Sequence, residues 1–230
     1  MSIDKWARQY CASITTGTWP SESLVKILLG HYPNLSLQRL DYSGKRVCDI
    51  GCGDGRNVRL LCDLGFEVFG TESSDAIVKA TQQRLSALYG LAPDLRVGLN
   101  HTLPFPTGFF DFAVAWCSAY YLSPGHDFPE NVLELARILR PAGVVILAIP
   151  KLTNILFENS VETRPGYRRI IKGPFYGVRD GIELRVFKDG GDIVDGYQEY
   201  FTDFRFGSVD VDFFGRADCW HLAVFSRKSE

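Results

Sequence analysis

Three glycines at alternate positions, Gly51, Gly53 and Gly55, interrupt the segment VCDIGCGDGRNV at residues 47–58. A β-leaning run precedes them and a stretch with helical spacing follows. Glycine reaches backbone conformations that other residues avoid and lets the main chain approach a ligand closely, so strand, tight glycine loop and helix describe a ligand loop in an open α/β sheet. Asp49 ends the strand and puts a carboxylate just beneath the loop. Glu72 ends the next β-leaning run about 20 residues on, where an acid can accept hydrogen bonds from both hydroxyls of a ribose. Loop and acid together imply a nucleoside cofactor.

The spacing separates two cofactor classes. A dinucleotide loop reads G-x-G-x-x-G, so that a helix N-terminus receives the pyrophosphate. Counted from Gly51 the last position is Arg56, and counted from Gly53 it is Val58. A nicotinamide-dinucleotide-dependent oxidoreductase therefore lacks its third glycine here. Asp49 would also face an anionic diphosphate unfavourably, whereas it can meet a cationic amino group.

The rest of the chain repeats the strand-then-helix step. Residues 45–50, 66–71, 95–97, 110–116 and 144–149 read as strands, and FDFAVAW at 110–116 is apolar enough to be covered on both faces. Between them, residues 57–64 carry helical spacing, Ser74 caps a helix that Gly90 ends, Pro129 opens another, and Pro141-Ala142-Gly143 makes a turn into VVILAI. Such steps predict right-handed crossovers and a doubly wound, Rossmann-like, mostly parallel seven-stranded sheet with helices on both faces. Two alternating runs at about 204–213 and 220–227 predict a C-terminal antiparallel hairpin at the sheet edge, after a helix near 193–200. Residues 151–190 are rich in Gly, Pro and Arg. Their cluster Arg164, Arg168, Arg169, Lys172 and Arg179 is read either as an anionic-ligand wall or as a basic loop balanced by the acidic tail.

Composition bounds the rest. A chain of 230 residues, 46% apolar and 23% charged, is expected to form one domain over 1–230, with an N-terminal helical cap segment at 1–43, a core at 44–150 and a variable substrate-side region with the last strands at 151–230. A net charge of −2 without a basic stripe argues against a nucleic-acid partner. Six cysteines show no CxxC pair, and no apolar run suits a signal peptide or a bilayer span. The expectation is a soluble cytoplasmic protein with buried thiols, no metal and no membrane partner.

At VCDIGCGDGRNV, and again at LPFPTGFFDFAV (103–114) and RILRPAGVVILAIP (137–150), the sequence resembles the class I S-adenosylmethionine-dependent methyltransferase family. The resemblance covers about 45–150 and continues more loosely into the final hairpin. It implies that Asp49 binds the methionine end of S-adenosyl-L-methionine, that Gly51, Gly53 and Gly55 pass beneath it, and that Glu72 takes the ribose hydroxyls. S-adenosyl-L-homocysteine would be the product. The family often places an acid after strand three for the adenine amino group; Leu99 stands there, with Asn100 and His101 beside it.

Further candidates follow from position. Arg56, Ser73, Asn100, His101, Trp116 and Cys117 fall at loop or strand ends beside the expected cofactor. Arg56, in a first helical turn, is either awaiting a carboxylate or facing solvent. Tyr10, Trp19, Tyr120 and Tyr121 are candidates for an aromatic lid on the acceptor side, or for ordinary packing. His126 beside Asp127 is read as a general base or as a helix start next to its cap. The expected reaction is in-line methyl transfer to a small molecule, and a non-catalytic binder of the same cofactor is the alternative.

Overall fold

A computed structural model describes residues 18–35, 37, 41–174 and 177–229. Among them, α1 (Glu22–Leu29) precedes β1 (Arg46–Ile50), α2 (Arg56–Asp63), β2 (Glu67–Glu72), α3 (Asp75–Tyr89), β3 (Asp94–Val97) and β4 (Phe110–Trp116). Then come α4 (Phe128–Ile138), β5 (Leu139–Pro150), three short strands β6 (Ser160–Arg164), β7 (Tyr167–Ile170) and β8 (Glu183–Arg185), α5 (Gly190–Tyr197), and the hairpin β9 (Phe201–Asp212) and β10 (Ala217–Arg227).

Seven strands form one sheet in the order β3-β2-β1-β4-β5-β10-β9. The first five are parallel, whereas β10 runs antiparallel to β5 and β9. The predicted doubly wound sheet and edge hairpin are therefore present. Strand order reverses between β1 and β4, and a crevice opens outside the carboxyl ends of strands at such a switch point.

Two-residue periodicity sorts the central strands between two cores. Val47, Phe112, Val114 and Ile146 pack with Leu24 of α1, Leu61 of α2 and Leu85 of α3. Cys48, Ala113, Ala115, Val145 and Leu147 pack with Leu135 of α4 and Ile193 of α5. Alternate residues thus serve opposite faces, and the apolar reading of 110–116 follows from burial on both. Local signals act as read: Ser74 accepts from the Ile77 amide, and Gly90 closes α3 in the left-handed conformation.

Two stretches differ from expectation. Strand β5 starts directly after α4, so Pro141-Ala142-Gly143 lies inside it, with Ala142 at φ 59° where pairing with β4 shifts register. Within residues 151–190, where the sequence reading assigns no strand, lies a three-stranded antiparallel sheet, β6-β7-β8. Its strands are only three to five residues long and mostly polar, too short to show periodicity. The Pro165-Gly166 turn between alternating residues was its available signal. Ile170, Leu184 and Phe187 join this sheet to the α4 and α5 core, and a Tyr121–Leu184 bridge ties it to the loop after β4. Among the described residues no helix is long and apolar enough to cross a membrane.

Candidate functional site

A cavity of about 440 Å³ opens at the carboxyl ends of β1, β2 and β4, at the switch point. That is a size suited to small ligands. Its β1–β2 side is lined by the loop from Gly51 to Asp54, Arg56, Glu72 and Ser73. The segment after β3 adds Gly98, Leu99 and Asn100.

The loop is tightly held. Gly51, Gly53 and Gly55 all have positive φ, at 70°, 57° and 79°. A Cβ on Gly51 would lie 2.6 Å from Ser118 Cβ, so the end of β4 passes where a side chain would stand. Thr81 Oγ1 donates to the Gly53 carbonyl at 2.6 Å, and Arg84 Nη1 donates to the Asp54 carbonyl at 3.1 Å. Helix α3 thus fixes the loop from behind. Gly55 faces this packing, since its Cβ would meet Thr81 Cγ2 at 2.9 Å, and it does not line the cavity.

Two carboxylates flank the loop. Glu72 is 9% exposed and accepts from the Gly53 amide at 3.2 Å and from the Ser73 amide and hydroxyl at 2.6 and 3.1 Å. Burial raises its pKa against these bonds. Asp49 is 2% exposed beneath the loop, behind the residues that line the cavity, and its Oδ2 has no hydrogen-bond partner. Burial first, then the charges of Glu72 and Asp54, push its pKa up to about 7. A buried carboxyl oxygen left without a donor favours the arrival of a cation or a donor.

The β4 side contributes Trp116, Cys117, Ser118, Tyr121, Leu122 and Ser123. Cys117 adopts φ 62°, a strained value for a non-glycine residue. Asn100 Nδ2 donates to the Ser118 and Tyr121 carbonyls at 2.8 and 3.1 Å, binding the β3–β4 segment to the loop after β4. Arg56 makes a two-pronged contact with Asp54, Nε to Oδ1 at 3.0 Å and Nη2 to Oδ2 at 2.9 Å, so a carboxylate partner lies two residues away.

Several other sequence candidates lie off the cavity. His101 stacks on His126 with ring centroids 3.6 Å apart, and neither lines it. His126 Nδ1 lies 2.6 Å from Glu130 Oε2, a helical i,i+4 pair, while Asp127 caps α4 in a capping box with Glu130. Tyr120 is buried in the core behind Tyr121. Trp19 is 79% exposed; Ser21 reaches the cavity from that segment instead, donating its amide to Asn57 Oδ1 at 3.2 Å. Tyr10 lies outside the described residues.

Of the basic cluster, only Arg179 reaches the cavity, and its Nε donates to Tyr121 Oη at 2.6 Å. Arg164 clamps Asp127, Arg168 bonds Ser160, and Arg169 faces Glu183. Asp218 and Trp220 complete the wall, and they are residues that sequence reasoning missed. Because β10 runs antiparallel to β5, its first residues arrive at the carboxyl edge, with Trp220 opposite Pro150.

A family profile described as "Methyltransferase domain" matches residues 48–147. The chain is 30% identical over 108 residues to the putative methyltransferase YqeM of Bacillus subtilis, covering 45% of this chain and 42% of that protein. It is 30% identical over 99 residues to the malonyl-[acyl-carrier protein] O-methyltransferase of Salmonella typhimurium, covering 43% and 36%. The alignments thus span about two fifths of the relatives' own length. A solved S-adenosylmethionine-dependent methyltransferase from Methanosarcina mazei superposes with a TM-score of 0.66 over 88% of this chain and 100% of its own, at 17% identity.

Proposed function

Residues 48–147 make this chain a member of the class I S-adenosylmethionine-dependent methyltransferase family, and we propose that it transfers a methyl group to a small-molecule acceptor by in-line displacement. One observation carries the reading. Asp49 holds an unpartnered, buried carboxyl oxygen directly beneath a glycine loop whose other flank is the Glu72 carboxylate.

The residues fit that cofactor. A carboxyl raised to about 7 ionises readily beside an ammonium group, which matches Asp49 to the methionine end. Glu72 stands where two ribose hydroxyls can replace its bonds to Gly53 and Ser73. Leu99 offers an apolar surface to the base in place of an acid. When bound, the cofactor supplies an activated methyl carbon on a sulfonium sulfur. The protein's work is then to align the acceptor and exclude water, and orientation of this kind contributes roughly 7–11 kcal/mol in favourable cases. Trp116, Cys117 and Ser118 border that space from β4.

In this reading 1–230 act as one domain, 44–150 holding the donor and 151–230 supplying much of the acceptor wall. Free, buried thiols such as Cys48 and Cys52 suit a reducing cytoplasm. Calorimetry with S-adenosylhomocysteine and with a nicotinamide dinucleotide tests the reading. Binding of the first alone supports it, and binding of the second alone overturns it. Labelled methyl transfer into a cell extract separates an enzyme from a non-catalytic binder.

A further inference from the structure

The wall opposite the glycine loop carries chemistry that cofactor binding does not use. Asp218 lies at the start of β10, which the antiparallel register brings beside the end of β5. Its Oδ1 accepts from Trp220 Nε1 at 2.6 Å and from Asn154 Nδ2 at 3.4 Å. Asn154 is itself pinned, donating to the Cys219 carbonyl at 3.0 Å and accepting from the Leu156 amide at 3.0 Å. The carboxylate is therefore preset, with both bonds on one oxygen. Both of these donors are neutral, although the carboxylate lines the cavity.

The other lining carboxylates are engaged: Asp54 by Arg56, and Glu72 by Gly53 and Ser73. Burial pushes the Cys117 thiol up to about 12 and raises Tyr121, whose hydroxyl receives Arg179. Trp220 stands against Asp218, and Tyr121 and Trp116 also line the cavity. Flat rings favour a flat acceptor, and a carboxylate favours one with a proton to give.

We propose that the acceptor is a phenol and that Asp218 is the group that holds and deprotonates its hydroxyl. This rests on the methyltransferase reading above. The phenolic O–H bond breaks and its proton passes to Asp218 Oδ2. The oxygen's electron pair forms the bond to the methyl carbon, and the carbon–sulfur pair leaves with sulfur. The products are the methyl ether, S-adenosylhomocysteine and protonated Asp218, which returns its proton to solvent.

The test loads the protein with S-adenosylhomocysteine and titrates phenol and benzoate separately by calorimetry. Phenol is expected to bind at least about tenfold more tightly, since benzoate sets like charges together. Asp218→Asn keeps an oxygen for Trp220 Nε1; it is expected to hold S-adenosylhomocysteine affinity within about twofold, erase the preference for phenol, and slow labelled methyl transfer to phenol at least about 100-fold. Benzoate binding as tightly as phenol, no phenol binding to the loaded protein, or an Asp218→Asn protein with unchanged preference and rate would each overturn the proposal. The phenol and benzoate comparison needs no variant. Failure of S-adenosylhomocysteine to bind the native protein would instead overturn the underlying reading, before any acceptor is added.

Discussion

Glu72 accepts the Gly53 backbone amide across 3.2 Å, so the acid that ends β2 closes the glycine loop before any ligand arrives. Loop and acid act as one unit. Glu72→Ala is expected to weaken S-adenosylhomocysteine binding at least about tenfold, the loss of one or two charged hydrogen bonds. Calorimetry checks this on protein whose melting shows that it still folds, and unchanged affinity would remove the ribose assignment.

Asp49 sets a pH dependence. Its folded pKa of about 7 lies above the value near 3.9 of an unfolded aspartate. The fold therefore prefers the protonated form, and this contribution to stability is fully present below about pH 4 and is lost as pH rises to about 7. Asp49→Asn is expected to flatten that decline in denaturant titrations. Ligand binding runs the opposite way: a bound ammonium favours the carboxylate, so S-adenosylhomocysteine affinity rises from pH 5 to 7 and then levels, with a proton released below pH 7. Calorimetry in buffers of different ionisation heat measures that proton.

Gly51 has no room for a methyl group. Gly51→Ala meets Ser118 Cβ at 2.6 Å and forces φ 70° on an L-residue, together costing about 2–4 kcal/mol. Its melting temperature is expected to fall by about 5–10 °C. Adding Ser118→Gly removes the contact but not the backbone strain, so partial recovery in the double variant identifies the contact.

His126 provides the contrasting case. With its ring on Glu130 and His101, outside the cavity, His126→Ala is expected to leave S-adenosylhomocysteine affinity and methyl transfer within about twofold of the native protein. A drop of 100-fold in transfer would restore it as a base.

Asp127 joins two parts of the fold. It caps α4 and receives Arg164 and Tyr167 from the three-stranded sheet, and Arg164 holds its carboxyl well below the usual range. Asp127→Ala is expected to cost about 1–2 kcal/mol in urea unfolding. It is also expected to speed proteolysis within 151–190, whereas an effect confined to α4 would argue against the clamp.

What could be read in advance divides by distance along the chain. The places of Asp49, the three glycines and Glu72 were legible because they follow from local order, a strand end, a tight loop and the next strand end. Ser74 and Gly90 were legible as caps for the same reason. Asp218 and Trp220 were not, because they reach the cavity only through sheet register and the antiparallel run of β10. Arg179 was noticed among five basic residues, yet nothing local distinguished it from Arg164, which went to a cap. His126 looked chemical until helical spacing paired it with Glu130.

The place of β10 in the sheet bears on how the chain assembles. It is the last described strand to be synthesised, yet it sits between β5 and β9. During synthesis the half of the sheet from β1 to β5 can close while Val144 to Ile149, an apolar run, still presents an unpaired edge. Chaperone contact or aggregation should concentrate in that interval, and the side of the cavity that Asp218 and Trp220 line is built only when it ends.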